Sequence, residues 1–595
     1  MRDVIVVGAG GGGPVVAKEL AAQGLDVLLL EAGPFYRDPE HEWSRYENDC
    51  NNPADGYFRF GSADRFDQPP WFRELPQYSF VFQLAGTGGT TQHYFANSPR
   101  AMPGVFADYT GADRDAYDVA HRFPFGYREL IPYYEWVEAT LPVQTAAMGT
   151  KEAVFFRGCE HAGLPVNATK DILRDSFRPQ ENAILQPGGT AGRTNDDARL
   201  RYPEATGCTF CGYCFQGCFE PRQAPRNLKA KRQTDNSYLP MALTADLWAP
   251  GGRRVTLVPD AFATRVLTEQ QAGRTVARGV RWRDTRTGEQ HEETAAAVVL
   301  SGGCTENPRL WLNSELPNPN GWVGRGYTDH SIDWVIGVFD EYTGNSKGAS
   351  SSARADFPGR GCIEQVGLPP ALQALTMGLS DSGVRGVYDN GRGPTGAWDG
   401  KAGRIMGNEL KDVLSDVDRL VNVLVLTDDD VEPDNRVLRS VLPPDENGPI
   451  PKVVFEHRER SPRTRRNREF LCDRAATILR AAGANRVLRI DFPSVPLHVH
   501  STMRTGTDPA DSVLDAHAES RWVDRLFVGD NSALANALGG PNPTLTTQAV
   551  ATRTAERIVS RYFGGDPWVR TQSPVSSLDD RVTSGVLDLS TQGHR

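Results

Sequence analysis

At 595 residues the chain is too long for one hydrophobic core, so two or more domains are expected. Hydrophobic residues make up 39% and charged residues 24%, the balance of an ordinary soluble globular protein. The net charge of −10 and pI near 5.7 give no reason to expect nucleic acid as a partner, and no apolar run reaches the length of a membrane-spanning helix.

Residues 3–7, DVIVV, predict a buried parallel strand, followed by glycines and a helix, PVVAKELAAQG. LDVLLLEAG (25–33) predicts a second strand and completes a β-α-β unit. Between strand and helix lies a G-x-G-x-x-G. Gly8 permits the tight turn, Gly10 lets a pyrophosphate approach the backbone, and Gly13 lets helix and strand pack closely. The phosphates would sit on the positive helix N-terminus. Glu31, ending the second strand, is placed to hydrogen-bond a ribose hydroxyl. This pattern does not separate NAD from FAD. The N-terminus enters a strand at once and leaves no room for a signal peptide, so a cytoplasmic location is expected.

Residues 34–80 are rich in Pro, Asp, Tyr and Trp and read as loops, some of them covering a site. CTFCGYCFQGC (208–218) spaces its thiols C-x2-C-x2-C-x3-C, the first three as in bacterial ferredoxins. Cys208, Cys211, Cys214 and Cys218 are therefore candidate iron–sulfur ligands, with zinc binding and core packing as alternatives. Cys50, Cys159, Cys304, Cys362 and Cys472 read as buried single thiols.

RVTLVPDAFATRVL, ARGVRWRD and AAAVVLSGG predict strands, and WVIGVF and LVNVLVL could belong to a second sheet. The basic run HRERSPRTRRNREF (457–470) reads as the solvated face of a helix. RLFVGDNSAL predicts one more strand and PTLTTQAVATRTAERIVSRYF a closing helix, after which the tail is expected to be poorly ordered.

GTGGTTQHYFANSPR (86–100), FPFGYRELIPYYEWVEATL (123–141), VVLSGGCTENPRLWLNS (298–314), GWVGRGYTDH (321–330) and RLFVGDNSALANALGGPNPTLTTQAVATRTAERI (525–558) resemble the glucose–methanol–choline oxidoreductase family, as a bacterial alcohol oxidase- or dehydrogenase-like member. The matches keep the family's order to about residue 563, with about 340–455 matched only by position. The resemblance implies an α/β, Rossmann-type FAD-binding domain and a second, substrate-binding domain on a large, mostly antiparallel sheet. On that basis residues 1–35, 80–100, 200–315 and 510–563 are assigned to FAD binding. Residues 36–79, 101–199 and 316–509 go to the substrate and cap regions, and 564–595 to the tail.

The implied activity is oxidation of an alcohol, with sugars and glycosides among the candidates, by proton abstraction and hydride transfer to flavin N5. Oxygen or another acceptor takes the electrons. The resemblance places Gly89, Thr90, Ala263, Asp530 and Pro543 among the cofactor contacts, with Ala263 at the adenine. His93 falls where some members attach the flavin covalently and others do not; it is expected at the flavin ring. LHVHSTMRTGTDP (497–509) resembles H-x-x-G-T-x-R-M-G, which puts His498 on the active-site base. Ser501 replaces glycine, Thr505 replaces methionine, and His500 is additional. Histidine suits the task because its pKa lies near neutrality. Asn542 matches the second active-site position, where an amide can hydrogen-bond the substrate oxygen. His330 and His517 read as structural.

For the cysteine run, relatives of long-chain alcohol oxidase type carry C-x-x-C-G-x-C-x-x-G-C and then a segment like NSYLPMA (236–242), without an established cluster. Sugar dehydrogenases of the family hold a three-iron cluster on other spacing. The run is thus expected to pack. Two alternatives stand beside the oxidoreductase: a lyase that keeps FAD without redox turnover, and an electron-transfer flavoprotein in which His498 and Asn542 have no task.

Overall fold

The computed structural model describes residues 1–36, 71, 73–75, 83–187, 193–194, 207–218, 226–227, 230–378, 396–399, 405–455, 460–490 and 496–591. Cys50 and most of the 34–80 loop region lie outside them.

Two sheets organise the described chain. In the first, the strands Arg2–Val7, Val27–Leu30, Thr256–Val258, Gln290–Leu300 and Leu526–Val528 run parallel. Their register brings Val7 beside both Leu30 and Leu300, and Leu300 beside Val528. The carboxyl ends therefore finish level, and the next residues, Gly8, Glu31, Ser301 and Gly529, rim one crevice, where open parallel sheets bind ligands. The near-continuous Val, Ile and Leu of these strands reflects burial on both faces. Ala261–Gln271 and Arg274–Asp284 extend the sheet as antiparallel ribbons.

The second sheet has six strands in the order Arg486–Ile490, Ile332–Val338, Leu420–Thr427, Gly361–Val366, Ser351–Phe357 and Ser176–Pro179, every pair antiparallel. Alternation sorts its side chains. Val421, Val423, Val425 and Val335 pack with helices Thr150–His161 and Pro462–Ala481, while Trp334, Ile336 and Leu424 belong to an apolar cluster on the opposite face. The α/β architecture with a second, antiparallel sheet is the expected one.

Two expectations fail. The basic run is not simply solvated. Arg460 and Arg468 are buried, pairing with Asp429 at 3.1 Å and Asp333 at 3.0 Å, and Arg463 reaches Asp430 at 2.7 Å. Arg460 and Arg463 answer the carboxylates of TDDDVE (427–432), of which Asp428 and Asp429 would otherwise be buried without counter-charge. Arg465 and Arg466 are exposed, as expected, and 457–459 lie outside the described residues. Nor is the tail loose. Trp568 is buried, the backbone N–H groups of Trp568 and Val569 donate to Glu556 at 2.6 and 2.9 Å, and Asp580–Thr591 is a helix whose Val582 enters the core. A single large aromatic in a polar segment was the missed anchor.

Candidate active site

A cavity of about 300 Å³ opens along the crevice and continues to the apolar face of the second sheet. It is lined by Gly8, Gly10, Glu31, Gly89, Thr90, His93, Ala263, Asp530, Asn542 and Pro543, together with His498. Of the expected cofactor contacts, only Gly13 stays behind the wall.

The glycine loop is built for a close-lying ligand. A Cβ on Gly8 (φ 103°) would lie 2.3 Å from the Ser301 carbonyl oxygen, and one on Gly13 would lie 1.8 Å from that of Gly8. These two glycines are required by packing. Gly10 is not: its Cβ would meet nothing closer than 3.8 Å, so the space it leaves belongs to the cavity. Beside it begins helix Gly13–Ala22, whose first N–H groups and dipole favour phosphate. The N-terminus of helix Thr544–Ile558 also reaches the cavity, and the buried Thr547 hydroxyl has no partner.

Glu31 accepts the N–H groups of Ala9 at 2.7 Å and Gly33 at 2.8 Å, so it shapes the glycine turn from the second strand. Asp530 accepts four hydrogen bonds, from Ser532 N and Oγ (2.9 and 2.6 Å), Gly303 N (2.7 Å) and Asn307 Nδ2 (2.8 Å). Its carboxylate thereby organises the start of helix Gly303–Asn313 at the cavity wall. Ala263 presents its carbonyl to Arg309 Nη2 at 2.9 Å.

His93 follows the turn Gly89–Gln92. Its Nδ1 lies 3.2 Å from the Phe215 carbonyl, which can only accept, so Nδ1 carries the hydrogen. Nε2 is left buried without a partner. Burial first, and Lys231 second, pull the His93 pKa down to about 3, so the ring is neutral. Lys231 donates to the carbonyls of Gln92, Tyr94 and Cys214 at 2.8, 2.9 and 2.6 Å, tying this turn to the cysteine segment.

His498 stands half-buried on the cavity wall, its backbone N–H held by Asp329 at 2.7 Å. His330, read from sequence as structural, contacts it directly: the two Nδ1 atoms are 2.9 Å apart. His330 Nε2 lies 2.9 Å from the Ala537 carbonyl and must donate to it. In the neutral ring His330 Nδ1 is then a bare acceptor, so the shared hydrogen sits on His498 Nδ1. The tautomer of His498 follows, with Nε2 unprotonated. Burial lowers the pKa of both histidines, His330 to about 4 and His498 well below 6.5, the latter aided by its neighbour. His500 is fully buried, with neither ring nitrogen hydrogen-bonded.

Asn542 Nδ2 donates to Glu364 at 3.4 Å, while its Oδ1 has no partner. Glu364 also accepts from Asn97 at 2.7 Å, and burial raises its pKa to about 7. Neither His330 nor Glu364 carries a sequence signal of its own; each is identified by what it touches.

Two models of the GMC oxidoreductase family match this chain, at residues 178–332 and 475–551. The chain belongs to the GMC oxidoreductase family. A lycopene cyclase model matches only residues 3–58, around the dinucleotide-binding entry. Among relatives, paromamine 6'-oxidase of Streptomyces fradiae is 27% identical, covering 94% of this chain and 92% of its own. The 2-methyl-1,2-propanediol dehydrogenase of Mycolicibacterium austroafricanum is 25% identical, covering 94% and 95%. The solved pyridoxine 4-oxidase from Mesorbium loti superposes with a TM-score of 0.57 at 17% identity, covering 95% of this chain and all of its own, a likeness of fold. The family is FAD-binding, and the cradle around Gly10 fits that cofactor.

The four cysteines of 208–218 fit a metal less well. Cys214 and Cys208 pack in the large apolar core, and burial, then neighbouring thiols, push Cys208 and Cys211 up to about 12. Among the described residues no group of three or more His, Cys, Asp or Glu side chains is placed to hold an ion. Cys159, Cys304, Cys362 and Cys472 are buried, as expected.

Proposed function

We propose that this family member oxidises an alcohol to a carbonyl, with His498 as the base and Asn542 beside the reacting oxygen. The observation that carries the reading is the His330–His498 pair, which leaves a bare Nε2 on the cavity wall. FAD would be held along Gly8–Gly12, Glu31, Gly89, Thr90, His93, Ala263, Asp530 and Pro543, and would supply the hydride acceptor. His498 Nε2 takes the hydroxyl proton. Burial keeps the ring neutral in the resting site, and the negative charge growing on the substrate oxygen offsets the cost of the imidazolium. His330 Nδ1 accepts from that imidazolium throughout. Asn542 gives one N–H to Glu364 and offers the other to the oxygen.

The named relatives are oxidases and dehydrogenases, which lends the lyase nothing. Oxygen or another compound serves as final acceptor, and the domain boundaries given above belong to this proposal on sequence grounds. Anaerobic mixing with an alcohol tests it: the flavin absorbance should bleach. Persistent yellow colour across a broad alcohol panel would favour the lyase.

The cysteine run is proposed to pack rather than to hold an iron–sulfur cluster. Its carbonyls steady Lys231 and, through Phe215, His93. Less than one iron per flavin is expected in anaerobically purified protein, and Cys211→Ser should cost stability without altering acceptor kinetics. Stoichiometric iron and sulfide, both lost in Cys211→Ser, would restore the cluster.

A further inference from the structure

The wall facing His498 and Asn542 differs in character from the crevice that receives the dinucleotide. Trp334 and Leu424 reach it from the second sheet, Leu368 and Leu372 from the segment that leads into helix Pro370–Gly378 and from the helix itself, and Phe95 and Leu497 from flanking loops. These six side chains belong to one apolar cluster or pack against it, so the cavity at this end is the open edge of a hydrophobic core. Leu375, 47% exposed, carries the apolar lining outward to solvent.

Polar groups are few there and partly committed. Asn97 donates to Glu364 at 2.7 Å and accepts from Asn182 at 2.8 Å, which leaves His498, Asn542 and the Thr376 hydroxyl to meet a substrate. The carboxylates in the lining, Glu31, Glu306 and Asp530, all stand at the dinucleotide end, and each is engaged by protein donors. Glu364, the carboxylate beside Asn542, stands behind the lining and is already engaged by Asn97, Asn542 and Arg354, so it is not free to neutralise a substrate ammonium group.

We infer that the substrate is an alcohol with an apolar body, aliphatic or aromatic, whose single hydroxyl meets His498 and Asn542 while its carbon skeleton lies against the Trp334–Leu424 face. The inference rests on the alcohol-oxidising reading and narrows it away from the substrate for which paromamine 6'-oxidase is named. The physical argument is an asymmetry. Each buried methylene gains about fourfold in binding, whereas each buried hydroxyl left without a partner loses roughly tenfold. A polyhydroxylated, aminated ring brings several such hydroxyls and positive charge into a wall that answers neither.

The test is the anaerobic flavin-reduction rate of the FAD-loaded enzyme with straight-chain alcohols from ethanol to hexanol, benzyl alcohol, methyl glucoside and paromamine. Reduction efficiency should climb about fourfold per methylene until the cavity is filled. Benzyl alcohol should exceed methyl glucoside by at least a hundredfold. Leu372→Asn, at a half-buried helix position, should flatten the chain-length slope, and Leu372→Met should preserve it. A flat series, or a glycoside or paromamine that matches hexanol, would overturn the inference while leaving alcohol oxidation intact. No reduction by any compound would sink both.

Discussion

Replacing His498 with alanine is expected to leave FAD bound and to slow its anaerobic reduction by alcohol at least about a hundredfold, the usual loss for a removed general base. The expectation has a pH signature. Because burial and His330 hold the His498 pKa well below 6.5, the ring is neutral at pH 7 and remains so until the solution becomes distinctly acidic. Through neutrality the wild-type reduction efficiency should therefore show no loss from His498, whose limb appears only as pH drops through that depressed value. In His498→Ala that acid limb should vanish with the activity. His500 supplies the counter-test: it is buried behind the wall, does not line the cavity, and has unpaired ring nitrogens. If His500→Ala is crippled while His498→Ala reduces its flavin normally, the assignment of the base is wrong.

The choice between these two histidines shows what could and could not be read in advance. The strand–glycine–helix entry was legible because its signal is local: period, turn chemistry and an acid at the strand end all lie within thirty residues. The second sheet was legible only as a set of apolar runs, since the pairing of Ile332–Val338 with both Leu420–Thr427 and Arg486–Ile490 is set by packing across the chain. His330 was illegible for a stronger reason. It is 168 residues from His498, and its importance lies in one acceptor-only carbonyl, that of Ala537, which fixes where its hydrogen must be. No spacing encodes that. The arginines of 460–468 misled in the opposite direction, because a basic run looks the same whether it faces water or buried aspartates. Glu31 and Asp530 line the cavity, yet the backbone hydrogen bonds that occupy them are visible only in three dimensions.

The second large effect is expected at His330 itself. His330→Leu removes the acceptor that holds the hydrogen on His498 Nδ1. The imidazole can then place that hydrogen on Nε2 and meet the substrate with a donor where a base is needed. A base in the wrong tautomer loses most of its worth, so flavin reduction should slow on the order of a hundredfold with KM little changed. His330→Asn, whose carbonyl oxygen can stand near the lost Nδ1, should recover much of the rate. The pH profile separates positioning from mere folding. As a nearby basic group His330 depresses the His498 pKa, while as acceptor of the imidazolium N–H it favours the charged ring, so its removal should shift the acid limb away from the wild-type position. A structural role alone would lower FAD content or thermal stability in both variants and leave the limb in place. If the leucine variant bleaches as fast as wild type, or if asparagine is no better than leucine and the limb does not move, then His330 does not set the tautomer and His498 finds its hydrogen by another route.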